Sequence, residues 1–141
     1  MTQLEINAGC DALLFEHATA RKLTRIAWAP LDTIGCYRVT YCDGSVLEIP
    51  LEYGGNIGYY ARRQNEPMKG SYYRHNGYFS TYFTDGIESR AEDGSPVTLY
   101  RYEWRNPEPA KKILSIALCE ADDSHAQVCL CGLVAVNKRD N

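Results

Sequence analysis

Between positions 52 and 62 the chain sets two adjacent aromatic rings, Tyr59 and Tyr60, close to Glu52, Asn56 and Arg62. These residue types together meet what a sugar asks of a protein. An aromatic ring covers the apolar C–H face, while carboxylate, amide and guanidinium groups read the hydroxyls. The same residues have a second reading. Tyr59 and Tyr60 can pack beneath a long loop or in a subunit interface, with Gly54, Gly55 and Gly58 allowing tight turns. A further cluster, Tyr72, Tyr73, Arg74, His75 and Tyr78, interleaves rings with positive charge. That pattern suits stacking of nucleobases or the core of a homodimer interface. Fifteen basic against eighteen acidic residues leave a net charge of -3, so there is no chain-wide basic footprint and no nucleic-acid partner is expected.

Catalytic chemistry finds little to work with. His17, His75 and His125 are scattered, and Glu16 and His17 are neighbours that a strand would point to opposite faces. Glu48 and Glu103 would act as paired acids only at a suitable separation. Nucleophile-elbow, phosphate-loop and zinc-protease motifs are missing. Gly54-Gly55-Asn56-Ile57-Gly58 follows a short strand and opens no helix, so it is no dinucleotide fingerprint. Asp85, Glu88 and Asp93 lack the spacing of a calcium loop and read as solvated charge. The expectation is a protein that is not an enzyme, with no cofactor and no metal.

The elements that must position these residues are strands. Residues 35–51 read as a hairpin about Asp43-Gly44. Tyr37, Val39 and Tyr41 share one face of its first arm, and Leu47, Ile49 and Leu51 share one face of the second. Pro50 marks the end or edge of its strand. Residues 3–7 and 12–18 are short strands. Residues 78–84 form another, between turns at Asn76-Gly77 and Asp85-Gly86. Asp93-Gly94 is a further turn. In residues 97–104, Tyr100, Tyr102 and Trp104 face one way, as core or as an aromatic strip. Residues 113–119 follow as a strand. Residues 127–136 carry apolar side chains on both sides, which predicts a central strand. Trp28 sits in a long connection as a buried wedge or an outward platform. About eight strands without a convincing helix predict an all-β sandwich.

With 141 residues, 45% of them hydrophobic, the chain suits a single domain over 1–141. Eleven Tyr outnumber three Phe and two Trp, an excess of rings with an apolar body and a polar tip. No stretch has the length to cross a bilayer, so no membrane partner is expected. The first residues lack the pattern of an export signal, which predicts a cytoplasmic protein. Its six cysteines then read as reduced, buried hydrophobes, with a disulfide pair as the lesser alternative. Cys129-Leu130-Cys131 places two thiols on one strand face, too few ligands for a metal.

Three stretches carry a resemblance. They are Ile34-Gly-Cys-Tyr-Arg-Val-Thr-Tyr-Cys-Asp-Gly44 with Ile49-Pro-Leu-Glu-Tyr-Gly-Gly-Asn-Ile57, then Tyr78-Phe-Ser-Thr-Tyr-Phe-Thr-Asp85, then Tyr102-Glu-Trp-Arg-Asn-Pro-Glu-Pro109 with Lys112-Ile-Leu-Ser-Ile116. From about Leu13 to Val134 the chain resembles the galactose-binding-like jelly-roll modules appended to bacterial glycoside hydrolases. The resemblance implies a jelly-roll β-sandwich and a non-catalytic module, with a glycan ligand as the leading function. It also implies an alternative, a structural protein that forms a homo-oligomer or serves a glycoside hydrolase as accessory subunit. By resemblance the ligand would meet Glu52, Tyr53, Asn56, Tyr59 and Tyr60. Relatives carry Trp where Tyr59 or Tyr60 stands here.

Overall fold

Alternation of apolar and polar side chains sets the strands, and the turns between them set their pairing. A computed structural model describes residues 2–21, 32–53, 56–61, 85–121 and 126–137. In chain order its strands are β1 (Thr2–Ala8), β2 (Ala12–Thr19), β3 (Asp32–Tyr41), β4 (Val46–Tyr53), β5 (Asp85–Arg90), β6 (Pro96–Arg105), β7 (Ile113–Glu120) and β8 (Val128–Val136). They form two four-stranded antiparallel sheets, ordered β1-β7-β3-β4 and β5-β6-β2-β8. The architecture is an all-β sandwich, with no helix among the described residues.

Two hairpins share one turn chemistry. In both β3–β4 and β5–β6 the connection contains Asp-Gly-Ser. Asp43 Oδ1 accepts the Ser45 N–H at 2.9 Å, and Asp93 Oδ1 accepts the Ser95 N–H at 2.9 Å. Gly44 and Gly94 take φ of 86° and 85°, the left-handed region that a side chain would oppose. The expected turn at Asp85-Gly86 is corrected here. Both residues open β5, because the turn that reverses the chain lies after it, at Asp93-Gly94.

The inner faces meet as alternation requires. Tyr37, Val39, Tyr41, Ile49 and Leu51 from the first sheet pack against Leu13, Phe15 and Trp104 from the second. Phe15 and Tyr37 stack across the gap with ring centroids 4.3 Å apart and planes 13° apart. Tyr100 and Trp104 are buried and Tyr102 packs partly buried against the same cluster, so this trio serves the core. Leu47 is half-buried at the rim of the core.

Pro50 lies on β4, which ends the first sheet among the described residues. The Tyr41 N–H donates to the Ser45 carbonyl at 2.9 Å, so odd-numbered residues of β3 carry the hydrogen bonds to β4. Pro50 faces Cys36 on an intervening rung, where its missing N–H forfeits no ladder bond.

Two expectations fail. β8 is not central. Among the described residues it ends the second sheet beside β2, and Cys129, Cys131, Val134 and Ala135 are exposed on it. The cysteines are not uniformly buried either. All six are free thiols, but only Cys10 is buried, Cys36 and Cys119 are half-buried, and Cys42, Cys129 and Cys131 are exposed. An apolar run cannot distinguish a strand enclosed on both sides from a terminal strand with one wet face. The strand expected over 78–84, Trp28, and the cluster from Tyr72 to Tyr78 lie outside the described residues, as do His75 and His125.

Candidate functional site

After β4 the chain turns back on itself, and Asn56 makes that turn. Its Oδ1 accepts the Glu52 N–H at 2.8 Å and its Nδ2 donates to the Pro50 carbonyl at 2.9 Å. Its own N–H donates to the Glu52 carbonyl at 3.1 Å. The amide supplies hydrogen-bond partners to two backbone groups of β4.

Residues 58–60 then run between the end of β2 and the start of β6. The Thr19 N–H donates to the Gly58 carbonyl (2.8 Å) and the Tyr60 N–H to the Thr19 carbonyl (3.1 Å). On the other side the Thr98 N–H donates to the Tyr60 carbonyl (2.8 Å), and the Tyr100 hydroxyl to the Tyr59 carbonyl (3.0 Å). The β2–β6 ladder ends at the His17–Tyr100 rung, so the segment fills the opening between them. A Cβ at Gly58 would stand 2.7 Å from the Tyr100 ring, so glycine lets the two approach without displacing the ring.

This insertion delivers Tyr60 to the outer surface of the second sheet. There a groove of about 500 Å³ runs over β2, β6 and β8. Ala18, Val97, Leu99, Cys129 and Cys131 line it with apolar surface, and Tyr60, Ser89 and Arg90 also line it. Tyr60 is 39% exposed and meets Tyr59 edge to face, with centroids 5.0 Å apart. An apolar bed with a few polar groups suits a small ligand held by shape and oriented by few hydrogen bonds.

The expected ligand residues do not share one surface. Glu52 lies on the outer side of the first sheet, where the Thr33 hydroxyl donates to its carboxylate at 2.9 Å. Tyr53 and Asn56 are buried. Tyr59 is half-buried against the core, and among the described members of the set only Tyr60 reaches the groove. Arg62 lies outside the described residues. Ser89, Arg90, Val97 and Leu99 were not singled out as site residues from the sequence. Apart from Tyr60, the period-two spacing of Cys129 and Cys131 was the local sign of this surface.

A buried polar site lies inward of the groove. His17 is 0% exposed. Its Nε2 is 2.7 Å from the Asn56 carbonyl oxygen, and its Nδ1 is 2.7 Å from the Tyr37 hydroxyl. A carbonyl can only accept, so Nε2 carries the proton and Nδ1 accepts from Tyr37. Desolvation lowers the His17 pKa to about 4, which keeps the ring neutral. Burial likewise raises the Tyr37 pKa. With each proton placed by its partner, the chain of bonds is structural and offers no base to solvent. Glu16, its neighbour, points outward and pairs with Arg101 at 3.0 Å. Glu48 and Glu103 stand on different sheets and form no acid pair. No group of three metal-ligating side chains occurs among the described residues. No helix among them is long and apolar enough to cross a membrane.

Comparison with protein-family models, with curated proteins and with solved structures returned no significant match.

Proposed function

We propose that this protein is a non-catalytic, cytoplasmic binding module of galactose-binding-like jelly-roll type, with carbohydrate as its ligand class. The observation that carries the reading is the groove on the outer face of the second sheet, lined by Tyr60, Ser89 and Arg90 together with apolar side chains. The ring would cover the C–H face of a sugar, and the guanidinium and hydroxyl would orient its hydroxyls. This moves the expected site away from Glu52 and Asn56 and keeps Tyr60. A broad glycan array, followed by calorimetry on each hit, tests the reading. Saturable binding that falls at least about tenfold in Tyr60→Ala supports it. Folded protein that binds no glycan overturns it.

One observation favours a second reading, a homo-oligomer. β8 ends its sheet among the described residues and leaves Val134 54% exposed. An unpartnered strand with apolar side chains is a template for a second copy. Light scattering across a dilution series separates the two readings. A strict monomer at every concentration eliminates the oligomer.

A further inference from the structure

Cys36 on β3 and Cys119 on β7 stand directly opposite each other across the ladder. The Ala121 N–H donates to the Ile34 carbonyl at 3.0 Å, so the 36–119 rung, two residues along, is also a hydrogen-bonded one. Residues opposed on such a rung have Cα atoms about 5.5 Å apart. That separation lies within the span a disulfide bridges. Both side chains share one face, which is the outer one, because the alternate residues Tyr37 and Leu118 turn toward the core. Both thiols are half-buried, within reach of a small reagent.

The two thiols differ in surroundings. The Cys36 thiol donates to Glu48 Oε2 at 2.9 Å. Burial, then this bond and the carboxylate charge, push its pKa up to about 12, while the nearby Arg38 works the other way. Cys36 is therefore held as a thiol and enters an exchange reaction second.

We propose that Cys36 and Cys119 form a reversible redox site that closes into a cross-strand disulfide at the expense of a small disulfide oxidant such as oxidised glutathione. The Cys119 thiolate attacks one sulfur of the oxidant. The oxidant's S–S bond breaks, one glutathione thiolate leaves, and a mixed disulfide remains on Cys119. Cys36 loses its proton and attacks the Cys119 sulfur, and the second glutathione thiolate leaves. Two protein thiols are oxidised, one disulfide is reduced, and the two protons end on the two glutathione molecules. The bridge would tie β3 to β7 across the middle of the first sheet, remote from the groove on the second.

The test uses the full chain, folded, in a mildly alkaline glutathione redox buffer, with thiols trapped by alkylation and mapped by mass spectrometry. The expected product is a Cys36–Cys119 peptide pair that forms as the buffer becomes more oxidising and is lost on addition of reduced glutathione. Cys36→Ser should stop at glutathionylated Cys119. Glu48→Gln, which removes the charge holding Cys36 protonated, should close several-fold faster. The proposal is overturned if oxidation joins Cys129 to Cys131 and leaves 36 and 119 alkylated. It is equally overturned if Cys119 stays glutathionylated in the unaltered chain.

Discussion

The hydroxyl of Tyr37 on β3 donates to Nδ1 of His17 on β2, at 2.7 Å, where neither residue has any exposed surface. The bond crosses between the sheets. It joins a stack in which the Phe15 and Tyr37 rings lie 4.3 Å apart. A second tyrosine of the same β3 face repeats the device. The Tyr41 hydroxyl donates to Asn106 Oδ1 at 2.6 Å, and Asn106 Nδ2 donates to the Cys10 carbonyl at 2.8 Å. The sandwich is thus pinned at two points by tyrosine tips as well as packed by their rings. These two pins give the predictions most specific to this protein.

The first concerns pH. His17 titrates near its usual 6.5 in the unfolded chain and near 4 when folded, because burial disfavours the cation. The unfolded state therefore binds more protons between these values. Stability from this group is complete above about pH 6.5 and falls as the pH drops toward about 4. The loss amounts to about 3 kcal/mol. Urea unfolding across this range should show the slope, and His17→Phe should abolish it.

Removing each tyrosine hydroxyl should separate the pins. Tyr37→Phe leaves Nδ1 of a fully buried imidazole without a donor, and should cost about 2 kcal/mol. Tyr41→Phe leaves Asn106 Oδ1 still accepting the Glu108 N–H at 3.0 Å, so it should cost about 1 kcal/mol. Chemical denaturation of both variants checks the order. Equal losses would contradict it.

Gly58→Ala should destabilise the fold by about 1–3 kcal/mol, because the new methyl meets the Tyr100 ring at 2.7 Å. Moving the ring also breaks the Tyr100 bond to the Tyr59 carbonyl. In a Tyr100→Leu background the alanine should cost much less. A double-mutant cycle by thermal unfolding measures that coupling.

Asn56→Ala should cost about 2–3 kcal/mol, since it leaves the Glu52 N–H and the Pro50 carbonyl without their amide partner. Asn56 is walled off from solvent, so any effect on ligand binding should follow the loss of folded protein. Binding measured per folded molecule should be unchanged, whereas Tyr60→Ala should lower it without unfolding the chain.

The β3–β4 hairpin was legible residue by residue. Asp43-Gly44 demands a tight turn, and strict alternation on either side fixes which residues face inward. The inward turn of Tyr100 and Trp104 was legible for the same reason, since it depends on backbone geometry within a few residues. Of the expected ligand residues that are described, only Tyr60 falls in the candidate site. Glu52, Asn56 and Tyr59 share its stretch of sequence, yet Glu52 lies on the outer side of β4, Asn56 in a buried turn and Tyr59 against the core.

What the sequence alone determined is therefore local: an all-β chain, its turns, and the inner face of most strands. Tertiary structure decided which strand ends a sheet, and that Cys129 and Cys131 on it meet solvent. It decided that Cys36 faces Cys119, and that His17 lies between Tyr37 and Asn56. Those outcomes depend on partners 20 to 83 positions away. Period-two patterning states that a side chain points inward, and only the register between strands states what it meets there.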